Sequence, residues 1–181
     1  MEAIVKARFE DGLNAPLSWS PTEGGWRAFV CFEDHLVEEI GPDPDGTRFV
    51  AISNKMMNGD YYPPDAVQFY GLFRDEQRTI VAGERIQQRA PIMAGIFAWS
   101  MVEIYVAELH SEQCKIGYVT TEKHHGRGIW TATLTRSAGK LSLTVESIAS
   151  PHSFLFWVGL PIARYLQLRA RRRAIEEFRK L

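Results

Sequence analysis

Residues 115–181 read KIGYVTTEKHHGRGIWTATLTRSAGKLSLTVESIASPHSFLFWVGLPIARYLQLRARRRAIEEFRKL. Within this stretch Ile162, Leu166, Ala170, Ala174, Phe178 and Leu181 recur at spacings of four, four, four, four and three. That spacing marks one face of an α-helix with 3.6 residues per turn. Leu168 and Ile175 widen the stripe, and Arg169, Arg171, Arg172, Arg173, Glu176, Arg179 and Lys180 take the other side. Upstream, Trp130, Ala132 and Leu134 alternate with threonines, and Leu141, Leu143 and Val145 alternate with Ser142, Thr144 and Glu146. Period-two alternation among β-branched and aromatic residues predicts strands, and Ser137-Ala138-Gly139 supplies a hairpin turn between these two. The sets Ile116, Tyr118, Thr120 and Val102, Ile104, Val106 predict two further strands. Four consecutive strands with one apolar face each form an antiparallel meander, and the amphipathic helix that follows can cover that face. The expected class is α+β: a curved antiparallel sheet gripping a long C-terminal helix.

The run Gly117–Gly128 (GYVTTEKHHGRG) resembles the segment "GYGTLxGHxxxGE" of the YndJ-like domain-of-unknown-function family of bacteria and plants. Ser147-Ile148-Ala149-Ser150-Pro151 is similar to that family's "xxSRPx" stretch, and Gly159–Arg164 with Gln167 to its "GPxxRxxQ" helix. The chain departs from the pattern at Val119, Ile129 and Ala149, where the family has glycine, an acidic residue and arginine. The resemblance spans roughly the last eighty residues and implies a helix-grip fold of the START and birch-pollen-allergen kind. It implies no reaction.

At 181 residues, with 45% hydrophobic and 24% charged residues, the chain has the composition of one globular domain, expected over residues 1–181. Cys31 and Cys114 are too few for a disulfide scaffold and are expected as buried free thiols. The N-terminal MEAIVKARFEDG lacks the pattern of a signal peptide, and the apolar runs 92–102 and 154–163 are too short to span a bilayer, so a soluble, cytoplasmic protein is expected. The net charge of −1 conceals a basic last helix, with seven Lys/Arg against two Glu over 162–181. Such a helix can meet an anionic membrane surface, although charge runs are commonly solvated faces that pair with the rest of the chain. No nucleic-acid motif accompanies it.

The N-terminal half is less regular. Ala3–Phe9 reads as a strand. Ser20-Pro21-Thr22-Glu23 fits a capping box, followed by helical spacing through Ile40; alternatively Trp26–Phe32 is a strand and only Glu33–Ile40 is helical. Arg48–Ser53 reads as a short strand, residues 54–64 as a loop over a cavity mouth, and Ala66–Phe73 fits either element. Thr79–Ala90 reads as a strand broken at Gly83-Glu84, and Pro91–Trp99 as a bulged strand or a short helix. Ser150-Pro151 reads as the start of a first helical piece ending at a kink near Pro161.

The candidate chemistry follows from these faces. Tyr118, Thr120 and Trp130 fall on the apolar faces, as core or as ligand wall with two hydroxyl anchors. His124, in the 117–128 run, is a rim hydrogen-bonding group or, as a weak catalytic candidate, a general acid/base. Arg164 pairs with an acidic neighbour or meets an anionic ligand. Adjacent His124 and His125 on an extended segment point apart, and no metal site is expected. Glu103 and Glu146 are exposed if the faces are assigned correctly and buried acids if a register slips. Phosphate-loop, dinucleotide, GxSxG and HExxH motifs are absent, and no cofactor is expected. The leading expectation is binding of an apolar or amphipathic small molecule, lipid or polyketide-like, in an internal cavity. The alternatives are an enzyme using that cavity for hydrolysis, cyclisation or isomerisation, and a module that binds a membrane surface or a partner through the basic helix. Nothing in the sequence sets the oligomeric state.

Overall fold

The computed structural model describes residues 3–19, 32–93, 95–151 and 159–181. Seven strands form one antiparallel sheet: β1 (Phe32–Pro42), β2 (Gln68–Tyr70), β3 (Arg85–Met93), β4 (Ile96–Leu109), β5 (Gln113–Thr120), β6 (Gly126–Ser137) and β7 (Lys140–Pro151). Their order across the sheet is β1-β7-β6-β5-β4-β3-β2. The four-strand meander expected from the last third is β4 to β7, the middle of this sheet. The hairpin between β6 and β7 turns on Ala138 and Gly139, with φ of 49° and 70°, the left-handed pair that suits the twist of adjoining strands.

The long helix, α4 (Leu160–Lys180), lies against the concave side of this curved sheet. Its C-terminal half buries Ala170, Ala174, Ile175 and Phe178. The inward residues Leu134, Leu141, Leu143 and Val145 are each at most 1% exposed and share one core with Phe178. A second helix on this side, α2 (Thr47–Met57), contributes Phe49, Ile52 and Met56. Asp43 fixes its start: its carboxylate accepts the backbone N–H groups of Arg48 and Phe49, which the first helical turn leaves unpaired. A single further turn, α3 (Leu72–Asp75), follows β2. On the convex side lies α1 (Ala3–Gly12), with the Arg8 guanidinium 5.1 Å from the Trp99 ring of β4.

Several expectations are corrected here. Ala3–Phe9 is helical rather than extended, since Val5, Phe9 and Gly12 at spacings of four and three form one buried face. Glu33–Ile40 is the edge strand β1, in which Phe32, Asp34, Leu36, Glu38 and Ile40 turn inward while Glu33, His35, Val37 and Glu39 are exposed. The exposed Val37 (58%) had suggested helical spacing. Arg48–Ser53 belongs to α2, where Phe49, Ile52, Ser53 and Met56 form the buried stripe. Ala66–Phe73 divides into β2 and the start of α3, and Pro91–Trp99 holds the end of β3 and the start of β4. Ser150 and Pro151 are the last residues of β7, the rest of the helical piece expected to follow them falls on residues 152–158, and Pro161 sits in the first turn of α4. The capping box at residues 20–23, the alternative strand from Trp26, Cys31 and the segment 152–158 lie outside the described residues.

Candidate functional site

Towards the N-terminal end of α4 the helix and the sheet part around a cavity of about 510 Å³. Register explains why it opens there. A row of inward residues crosses four strands as Asp34, Ser147, Trp130 and Tyr118. Beyond it Phe32, Ala149 and Gly128 align, and on β3 and β4 Gln88 faces Ser100 and Ala90 faces Ala98. Most of these side chains are small, so the separation that Leu134, Leu143 and Phe178 fill at the other end stays open here. Gly128 cannot carry a side chain: at its φ of 157° a Cβ would fall 1.9 Å from the carbonyl oxygen of Ile148. From α4, Ala163, Leu166 and Ala170 close the other wall, with Tyr62, Ala66 and Val67 from the connection between α2 and β2.

The five sequence-predicted site residues, Tyr118, Thr120, His124, Trp130 and Arg164, all line this cavity. The indole of Trp130 is the centre of an aromatic floor. Tyr118 stacks on it at 5.2 Å and 20°, and Tyr61 meets it edge-on at 4.9 Å. Tyr62 tilts against it at 6.1 Å. Burial pushes the Tyr118 hydroxyl up to about 12, opposed by a side-chain hydrogen bond with Gln88, and raises Tyr61 and Tyr62 as well. All three phenols are protonated at neutral pH.

The remaining predicted residues are engaged by the protein. Thr120 Oγ1 accepts the Gly128 N–H at 2.8 Å, lies 3.1 Å from the Gly128 carbonyl oxygen and shares a 2.7 Å hydrogen bond with Ser18. It locks the turn between β5 and β6. His124 Nδ1 lies 2.8 Å from the Gly126 carbonyl oxygen and 3.0 Å from its amide nitrogen, within that same turn. Arg164 donates through both terminal nitrogens to Asp34 at 2.5 Å, and Arg171 stands 3.6 Å from the same carboxylate. The hydrogen bonds from Arg164 hold the Asp34 carboxyl below its ordinary range, with the charges of Arg164 and Arg171 and a bond from Ser147 adding to them against burial. Further along α4, Arg173 pairs with Asp65 at 2.6 Å and Arg179 with Glu38 at 2.7 Å. The basic helix is thus in large part ion-paired with the acidic body. Glu103 and Glu146 lie on the convex side, paired with Arg85 at 3.0 Å and His35 at 3.3 Å.

Gln88 and Ser100 were not singled out from the sequence. Ser100 Oγ donates to Gln88 Oε1 at 3.2 Å, and both line the cavity beside Tyr118. Their signal is the alternation Ile86-x-Gln88-x-Ala90, which sets a glutamine on the face of a buried isoleucine. Among the described residues no group of three His, Cys, Asp or Glu side chains is placed to hold a metal. Burial pushes the Cys114 thiol up to about 11, which leaves it protonated and unreactive. No described helix is long and apolar enough to cross a membrane.

No family model matches the sequence, and no curated protein matches it. The resemblance of residues 117–128 to the YndJ-like segment therefore rests on those residues alone. Solved structures do match. The NMR solution structure of KanY protein superposes with a TM-score of 0.54 at 9% identity, over 84% of this chain and 97% of that one. The TTHA0849 protein of Thermus thermophilus gives 0.51 at 11% identity, over 82% of this chain and 94% of that one. Ara h 8.0201 gives 0.50 at 11% identity, over 83% of this chain and 98% of that one. At such identities the likeness shows the fold alone, which is helix-grip.

Proposed function

We propose that this chain binds an apolar or amphipathic small molecule, lipid or polyketide-like, between the concave face of its sheet and the N-terminal half of α4. The observation that carries the proposal is the cavity itself: about 510 Å³, floored by Trp130 and Tyr118 and walled mainly by alanines and branched aliphatic residues. That size and character suit a small organic ligand held by apolar contact and oriented by a few polar groups. Trp130 and Tyr118 act as the stacking surface, while Thr120, His124 and Arg164 shape the wall through the bonds described above. The segments that resemble the YndJ-like family all border this cavity: Thr120 and 124–128, 147–150, and Gly159–Arg164 with Gln167. The binding reading is favoured over catalysis because the His124 ring is occupied by its own turn and Asp34 is held ionised by two arginines.

The test is titration with Nile red, a neutral apolar fluorophore. Wild-type protein is expected to enhance its emission and saturate at one dye per chain, and Ala98→Phe, which fills the cavity from β4, to abolish the enhancement. Equal enhancement by both proteins would place the dye elsewhere and defeat the proposal.

A further inference from the structure

We infer that the rim of the cavity is a membrane-docking surface, which seats the tip of the β3–β4 hairpin and the start of α4 in an anionic lipid bilayer. Five large apolar side chains carry the inference. Ile92, Met93 and Ile96 surround the turn between β3 and β4. Ile162 and Tyr165 stand on the outer side of the first turns of α4. Each of the five is between 43% and 63% exposed. Ile92 and Ile162 also line the cavity, so the cavity reaches the surface between these two elements and both groups belong to one rim. Exposed aliphatic residues scattered singly are ordinary, whereas a set gathered round one opening marks a contact surface.

Charge decides what that surface meets. Four arginines line the cavity, Arg127, Arg164, Arg169 and Arg173, against the single carboxylate of Asp65. Adding Asp34, the partner of Arg164, still leaves four cations against two carboxylates. Arg169 and Arg172 make no ion pair among the described residues. They continue the outer stripe of α4, since Ile162, Tyr165, Arg169 and Arg172 follow at spacings of three, four and three. Arg169 stands seven residues beyond Ile162, about 10 Å along a helix axis. Apolar groups of interfacial helices sit about 5–10 Å into the headgroup and acyl boundary. With Ile162 and the hairpin tip at that depth, the arginines fall at the level of the lipid phosphates, which attract them. Tyr165 lies between, where an amphipathic ring is favoured. A second copy fits this face poorly, because a two-fold contact would set Arg169 and Arg172 against their own like charges. An acidic protein would answer the arginines, but it would need a fitted recess for each side chain of the hairpin tip. A fluid bilayer receives them without one.

The test is co-sedimentation with vesicles of phosphatidylcholine alone and of phosphatidylcholine mixed with phosphatidylserine. Wild-type protein is expected to prefer the mixed vesicles and to be released from them by salt. Met93→Asp with Ile96→Asp, and separately Arg169→Gln with Arg172→Gln, are each expected to lower partitioning about tenfold or more. Val37→Asp, at a comparably exposed apolar site on the edge strand β1, is expected to leave it unchanged. Thermal melts followed by circular dichroism check that each variant is folded. No binding to the mixed vesicles, or an equal loss in Val37→Asp, overturns the inference. Arginine-dependent binding of soluble polyglutamate without vesicle binding also overturns it and gives the face to an acidic protein. Vesicle binding in the expected pattern, joined with no Nile red uptake by wild type, would defeat the cavity reading alone.

Discussion

The two ends of the space between sheet and helices are built from the same strands and differ in side-chain size. At one end Leu134, Leu143 and Cys114 from the sheet meet Ala174 and Phe178 of α4 and Ile52 and Met56 of α2, all buried in one core. At the other end the same strands present Gly128, Ser147, Ala149, Ala98 and Ser100, and the space is open. Protein interiors are ordinarily packed to crystal-like density. An opening therefore needs its own support, and here Thr120 and His124 brace the turn beside it while Arg164 fastens α4 to β1 through Asp34. The closed end holds the protein together, and the open end is the ligand site we propose.

The largest effect that would test this division is at the closed end. Phe178→Ala should cost about 3–5 kcal/mol of unfolding free energy in urea, the usual loss for a buried phenylalanine. A loss near zero would mean that α4 is not clamped where Phe178 is buried. The opposite signature belongs to the open end. Ala98→Phe should change stability by less than about 1.5 kcal/mol, because it enters space rather than a packed core, while removing dye binding. A destabilisation as large as that of Phe178→Ala would show that the two ends are alike.

The Asp34–Arg164 brace predicts a pH-dependent difference. The folded-state pKa of Asp34 lies below its ordinary 3.8, so its contribution is complete above that value and is lost as pH falls through the lower folded value. Asp34→Asn should cost about 1–2 kcal/mol at pH 7, for a partly exposed charge-assisted pair. The gap from wild type should narrow progressively as pH falls below about 4. A gap independent of pH would show that the ion pair is not its source. The smallest effect is expected on the convex side, where His35 and Glu146 are both more than half exposed. Glu146→Gln should leave both stability and binding within error, as solvent-exposed pairs generally do.

How much of this was legible in the sequence depended on the element. The inward faces of β6 and β7 followed from strict alternation, and Phe178 and Ala174 from helical spacing, because each periodicity had one buried side and one polar side. The edge strand β1 was hidden because its inward set includes Asp34 and Glu38, whose partners Arg164 and Arg179 lie about 130 and 140 residues away in sequence. Charges that pair only in the folded chain look like a solvated helix in one dimension. In α2, Phe49, Ile52 and Met56 carried a helical signal, but β-branched Val50 and Ile52 beside Phe49 favoured a strand reading. Tyr118 and Trp130 could be named as wall because their faces were known. Gln88 and Ser100 could not, because a polar pair on an inward face becomes meaningful only when the strands β3 and β4 are in register.

Whether the open end holds a ligand is tested most directly by native mass spectrometry of the purified protein, followed by denaturation and extraction. A stoichiometric adduct of small-molecule mass that is released on denaturation, and missing from Ala98→Phe, is the predicted result. A bare chain in both proteins, joined with no uptake of Nile red by either, would contradict it.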